Sequence, residues 1–233
     1  MRSVALHLTP TRSRQTLAYE RADRKKHPVL ALENKTPMTD NDPKNSRQAA
    51  ASVEPMFTER WSSKAFADKQ LTDNEIASLF EAAHWAPSSS NKQPWVFVYA
   101  TDGPDRERFN TVLNEGNARY AAKAPLFILV FARTLDSDGR NQRTAQFDTG
   151  AAWKSLAMQA NRMGLNTRAM GGIDRDLAHE VTGVPSDSFE SICAITVGYR
   201  GTDDDLPPRM VKENHANDRK SVGEVAFKGR YSG

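Results

Sequence analysis

Arg60, Ser62 and Lys64 stand at alternate positions in this 233-residue chain, and together they could do chemistry. In an extended segment, period-two geometry turns all three to one side. A guanidinium fork, a hydroxyl and an ammonium converging on one spot suit a phosphate monoester. Arg binds such a group bidentately, and Lys acts as a point charge. Alternating charge on a solvated strand face gives the same pattern, so the triad alone leaves both readings open. A second stretch, Ala86 to Trp95, reads A-P-S-S-S-N-K-Q-P-W. Pro87 and Pro94 enclose Ser88, Ser89, Ser90, Asn91 and Gln93, with Lys92 as the one charge. Such clusters mark a loop, and loops on rigid scaffolds carry function. This one suits a flat, partly uncharged ligand rich in donors and acceptors.

The elements around these stretches must position them. Thr72-Asp73-Asn74-Glu75 has capping-box spacing, and Ile76, Leu79, Phe80 and Ala83 follow as a helical stripe. That helix is expected to stop at Ala86, before Pro87. Trp95–Ala100 is apolar at nearly every position and is expected to be a strand covered on both faces. Leu126–Ala132 has no polar face and must be central, and Ser191–Gly198 is a third strong strand. Helices are expected over Asp105–Glu115, with Phe109, Val112 and Leu113 inward and Arg106 outside any site, and over Asp148–Met163. A short helix from Asp174 to Val181 ends at Gly183. Residues 134–147 form a substantial polar loop and a candidate lid. Strands alternating with helices imply a covered sheet.

Composition narrows the function classes. The net charge of +3 gives no strong electrostatic case for nucleic acid, although the pI is near 9.0. No apolar run approaches a membrane span of roughly 20 residues. The single cysteine, Cys193, excludes an intramolecular disulfide and a multi-cysteine zinc site, and it reads as a small buried hydrophobe. The expected compartment is the cytoplasm. Residues 1–54 lack a sustained period and are expected to be a disordered extension, with a transit peptide as the other reading of the Arg-containing, acid-poor leader. Residues 55–233 are the expected functional domain.

The pairing of R-W-S-S-K-A-F with A-P-S-S-S-N-K-Q-P-W, about twenty residues apart, resembles the FMN-dependent nitroreductase family. That resemblance implies an α+β fold in which helices flank a central mixed β-sheet, within an intertwined homodimer carrying FMN at its interface. It implies that Arg60, Ser62 and Lys64 meet the flavin phosphate and ribityl chain. Pro87, Ser88, Ser89 and Asn91 would reach the flavin of the other subunit, with Gln93 supporting their loop. Asn117 would contact the ring or ribityl chain, although a capping asparagine beside Gly116 reads equally well. Met170, Gly171 and Gly172 would run behind the flavin, with a backbone N–H near Gly171 on N5; an ordinary turn is the alternative there. Arg219 matches a basic segment that returns to the phosphate, with Ser221 where the family commonly has proline.

The implied activity is ping-pong transfer of hydride from NADH or NADPH, through flavin N5, to nitroaromatic, quinone or similar small-molecule acceptors. No acid–base constellation or metal motif stands out, as befits a site whose chemistry resides in a cofactor. Two other classes stay open: a family branch performing dehydrogenation or dehalogenation, and a non-catalytic flavin-binding protein.

Overall fold

The computed structural model describes residues 42–204 and 206–232. All of them fall in the unit Lys35–Gly233. Most of the extension expected over residues 1–54 therefore lies outside the described residues. Its last part is tied to the domain: Asp42 pairs with Arg200, Lys44 with Asp203, and Asn45 Nδ2 donates to the Thr58 carbonyl at 3.0 Å. Folded contacts thus begin before Pro55.

Seven helices and four strands follow among the described residues, with α1 at Met56–Glu59 and α2 at Asp73–His84. Strand β1 spans Trp95–Ala100, and helices α3 and α4 span Gly103–Asn110 and Glu115–Ala121. Strand β2 is Leu126–Arg133, helix α5 is Ala145–Arg162 and strand β3 is Leu165–Met170. Helix α6 spans Arg175–Thr182, strand β4 Phe189–Tyr199 and helix α7 Pro208–Lys212. The sheet order is β1-β2-β4-β3, and every pairing is antiparallel. The α+β class holds, but the sheet among the described residues is antiparallel instead of mixed.

Strand β2 organises the core because its apolar run serves both faces. Leu126, Ile128 and Val130 join Ile76, Leu79 and Ala83 of α2 and Leu156 of α5 in one cluster. Phe127, Leu129 and Phe131 point the other way, into Phe109, Val112, Tyr120 and Met170. This is period-two alternation in a strand whose two faces are both covered. The capping box at Thr72 is present, its hydroxyl accepting from Glu75 N at 3.2 Å.

Several expectations are corrected. β1 is an edge strand paired only with β2, yet both its faces pack on the core, Trp95 and Phe97 on one side and Val96 and Val98 on the other, with Tyr99 50% exposed. β3 was not expected as a strand, since its polar centre Asn166-Thr167-Arg168 gives no alternation. The helix expected over Asp105–Glu115 is two helices, and Asn114 is the N-cap of the second, its side chain accepting from Asn117 N at 2.9 Å. Arg106 is buried: Nη2 donates to the Ala121 carbonyl at 2.7 Å and the guanidinium lies over Phe127. Helix α5 starts at Ala145, before the expected Asp148. Burial pushes the Cys193 thiol up to about 11, which suits a packing residue. No described helix is long and apolar enough to cross a membrane.

Candidate functional site

Helix α1 gives way at Arg60, where the backbone turns extended (φ −66°, ψ 117°). Arg60, Ser62 and Lys64 all line one cavity of about 380 Å³, with Ser63 buried away from it, although Trp61 lines it too and the alternation is not strict. That volume falls in the range of small-molecule sites. The segment is pinned through its backbone. Arg168 Nη1 donates to the Ser62 carbonyl at 2.6 Å, Asn166 Nδ2 to the Ser63 carbonyl at 3.2 Å, and Lys64 N to Asn214 Oδ1 at 2.7 Å. β3 and the C-terminal run therefore hold the triad in place.

Arg219 lines the same cavity, as do Arg47 and Arg168, which sequence reasoning missed. Glu213 is the one acid in the lining, and it is occupied by Lys64 at 2.7 Å and Arg209 at 3.1 Å. The side chain of Arg60 reaches Ser62 Oγ at 3.4 Å, while Arg219 donates to the carbonyls of Asn217 and Asp218. Burial, with Arg47 and Arg219 nearby, lowers the pKa of Arg60. Burial, with Arg60 and Arg219 nearby, likewise lowers that of Lys154 on α5. Cations gathered this closely with a single acid among them disfavour one another's charge, and a bound anion would relieve that. A phosphate dianion fits this donor set, since guanidinium forks and a hydroxyl can all donate to its oxygens.

A polar chain runs from this cavity toward the glycine pair. Arg168 Nε donates to Tyr120 Oη at 3.0 Å, Tyr120 Oη to Asn117 Oδ1 at 2.6 Å, and Asn117 Nδ2 to the Gly172 carbonyl at 3.0 Å. Asn117 is thus neither a C-cap nor isolated; it joins α4 to the backbone after β3. Gly172 is the position where close approach is real, because a Cβ there would lie 2.3 Å from Asn114 Nδ2. At Gly171 a Cβ would meet nothing within 4 Å, so that residue borders open space. Met170 is buried at the end of β3 and packs in the core, away from solvent.

The loop Pro87–Gln93 lies apart from the cavity lining. It is mostly exposed and internally braced: Ser88 Oγ accepts from Gln93 N at 3.0 Å, and Gln93 Nε2 donates to the Asn91 carbonyl at 3.0 Å. Ser89 N donates to Asp148 Oδ2 at 3.1 Å, which ties the loop to the start of α5. Ser90, Asn91 and Gln93 all have left-handed backbones, at φ 52°, 54° and 48°. Such conformations cost non-glycine residues free energy, and they cluster at ligand clamps and other functional sites. Of the residues singled out from sequence, the structure brings Arg60, Ser62, Lys64 and Arg219 together. It brings Asn117 to Gly172 and leaves Pro87, Ser88, Ser89, Asn91 and Gln93 on a separate surface.

The chain matches the Nitroreductase family over residues 57–127 and 110–199. A crystal structure described as an oxidoreductase containing FMN superposes with a TM-score of 0.78 at 36% identity, covering 84% of this chain and 100% of that one. A Rhodopseudomonas palustris protein with the provisional name NADH dehydrogenase/NAD(P)H nitroreductase is 23% identical, the match covering 70% of this chain and 93% of that protein. A Streptomyces coelicolor protein of the same provisional name is 34% identical over 71 residues. That match spans 30% of this chain and 35% of the relative's length.

Proposed function

Because the chain belongs to the nitroreductase family, we propose that it is an FMN-dependent oxidoreductase carrying electrons from NADH or NADPH to a small-molecule acceptor. The observation that carries this reading is the cavity where Arg60, Lys64 and Arg219 gather around Ser62 with one acid, Glu213, in the lining. A phosphate ester is the group this arrangement would hold most tightly. When bound, FMN would supply the redox chemistry at N5, accepting hydride from the nicotinamide and passing it to a nitroaromatic, quinone or similar acceptor in a ping-pong cycle.

The protein's part is to bind, orient and tune. Arg60, Lys64 and Arg219 would anchor the phosphate, with the Ser62 hydroxyl as a neutral donor. Asn117 is held in its orientation by Tyr120 and the Gly172 carbonyl. Gly171 presents backbone without a side chain on the open side, where an N–H would favour charge on a reduced ring.

A homodimer belongs to the same proposal. The strained loop Pro87–Gln93 stands away from its own chain's cavity, so it would serve the flavin of a second copy. Phe147 at 82% and Trp85 at 75% exposure are large apolar groups of the kind an interface covers.

The test is an absorbance spectrum of the purified protein before and after incubation with FMN, then anaerobic titration with each nicotinamide. A flavin spectrum bleached by NADH or NADPH, with steady turnover on a quinone or nitroaromatic, is the expected outcome. Protein that stays colourless after incubation with FMN refutes the reading, and a flavin that neither nicotinamide reduces refutes its catalytic part.

A further inference from the structure

We infer that the segment Asp42–Arg47, which lies before the region matched to the family, completes the phosphate site, with Arg47 supplying a further guanidinium to it. This inference rests on the flavin reading above and concerns a residue outside the motifs that suggested it.

The segment is a strap across two parts of the chain that build the cavity. Asp42 is fixed by Trp61 Nε1 at 3.0 Å and by Arg200 Nη2 at 3.1 Å, and Lys44 pairs with Asp203. The Lys44 carbonyl accepts from Ala216 N at 2.8 Å, which fastens the C-terminal run. Arg47 then reaches both sides of the cavity. Its Nε donates to the Asn217 carbonyl at 2.7 Å, and its Nη1 to the Arg60 carbonyl at 2.9 Å. One residue thereby spans the chain segments that present Arg60 and Arg219.

These bonds use Nε and Nη1 of a group with five donors, and among the described residues Nη2 donates to no protein acceptor. The side chain lines the cavity beside Arg60 and Arg219. Burial lowers the pKa of Arg47, the charge of Arg219 lowers it further, and Asp218 compensates only in part. A cation held against two others by neutral carbonyls is oriented without being neutralised, which is what a phosphate dianion requires of its receptor. The strap therefore has two effects, adding charge and holding the C-terminal run in place.

Both effects act at the phosphate end of the ligand, and loss of charge is told from loss of position by the salt dependence of FMN binding. Riboflavin lacks the phosphate, so a phosphate contact is seen as selectivity for FMN over riboflavin. The full chain, freed of flavin, is titrated with FMN and with riboflavin by flavin fluorescence, as wild type, Arg47→Gln and Arg60→Gln. Arg47→Gln is expected to weaken FMN binding roughly tenfold to hundredfold, to leave riboflavin binding within about twofold, and to flatten the salt dependence of FMN binding. Equal weakening of both ligands would reduce Arg47 to scaffolding and overturn the inference. So would unchanged FMN affinity in Arg47→Gln beside a loss in Arg60→Gln, which leaves the flavin reading standing. Wild-type protein that binds no FMN overturns that reading itself. Should Arg47→Gln not fold, Arg47→Lys applies the same criterion: the preference for FMN must fall, since an ammonium cannot donate to Asn217, Arg60 and a phosphate from one planar fork. A wild-type preference in that variant overturns the inference.

Discussion

Arg168, in the middle of β3, donates through Nη1 to the carbonyl of Ser62 at 2.6 Å and through Nε to Tyr120 Oη at 3.0 Å. One guanidinium thus fixes the backbone of the phosphate triad and the hydrogen-bond chain that ends at Gly172. Arg168→Gln is expected to cost about 1–3 kcal/mol of stability, because the Ser62 carbonyl loses a charged donor. Tyr120→Phe removes the hydroxyl that accepts from Arg168 Nε and donates to Asn117 Oδ1 but leaves the Arg168–Ser62 bond in place, and it is expected to cost about 0.5–1.5 kcal/mol. Urea unfolding measures both, and flavin titration should show weaker FMN binding in Arg168→Gln. If Arg168→Gln unfolds at the wild-type midpoint, the role assigned to this contact is wrong.

Arg60 and Arg106 differ in what their loss does. Arg60→Gln is expected to leave the fold intact and reduce FMN affinity roughly tenfold to hundredfold, since charge-assisted hydrogen bonds contribute about 1.5–3 kcal/mol. Arg106 is no neutral comparison, because it is buried against Phe127 with its Nη2 on the Ala121 carbonyl. Arg106→Ala is expected to lower stability by about 1–3 kcal/mol through the lost charged donor to Ala121, whose carbonyl keeps only Ala124 N, and the lost packing on Phe127. The exposed Arg108, paired with Asp105 one turn earlier, is the suitable control. Surface pairs contribute about 0–1 kcal/mol, so Arg108→Gln should change neither quantity. A Kd for FMN that is the same in Arg60→Gln and Arg108→Gln would remove Arg60 from the site.

How far the sequence reveals these relationships follows from their range. The alternation Arg60-Ser62-Lys64 is local, so its shared direction is readable from period two, and the Thr72–Glu75 box from spacing alone. β2 is readable because its apolar run satisfies both faces of a sheet. β3 is not: Asn166 and Arg168 are there to bond the Ser63 and Ser62 carbonyls, more than a hundred positions earlier in the chain, and polar residues serving such partners erase the strand pattern. β1 is readable as a strand packed on both faces, but an apolar run does not say which strands are neighbours, so its edge position is not legible. Arg47 and Asp42 lie in a stretch without periodicity, and their partners Asn217 and Arg200 sit at the far end of the chain.

Acid should loosen the strap before it unfolds the sheet. Burial alone would raise the pKa of Asp42, but hydrogen bonds from Arg200, Lys44 N and Trp61 outweigh it and hold the carboxyl below its ordinary value. Asp203 is likewise held down, by Lys44 and Asn214 against burial. For carboxylates with lowered folded pKa values, the unfolded chain takes up protons first. Their contribution is present in full above the ordinary value of about 3.9 and is lost as pH falls below it. Asp42→Asn should remove part of this dependence. The check is hydrogen exchange at Ala216 N, whose acceptor is the Lys44 carbonyl. Protection should be constant between about pH 5 and 7 and fall below about pH 4. Protection that instead changes between pH 5 and 7 would assign the linkage to other groups.

Gly171 and Gly172 are neighbours whose substitution should have opposite consequences. Neither has a left-handed backbone, so alanine meets no conformational penalty at either. At Gly172 the added Cβ would stand 2.3 Å from Asn114 Nδ2 and 3.0 Å from Asn117 Nδ2. Asn114 is the N-cap of α4, with Oδ1 on Asn117 N at 2.9 Å, so moving its amide breaks the cap. Loss of such a cap costs about 0.5–2 kcal/mol, and Gly172→Ala should lower stability by that amount. At Gly171 the Cβ meets open space, so Gly171→Ala should unfold within about 0.5 kcal/mol of wild type. A ligand occupying that space would nevertheless feel the methyl, and FMN affinity should fall in Gly171→Ala although stability does not. Urea midpoints of the flavin-free variants, set beside flavin titrations, separate the two glycines. Undiminished FMN binding in Gly171→Ala would show that the flavin does not approach the chain at this residue.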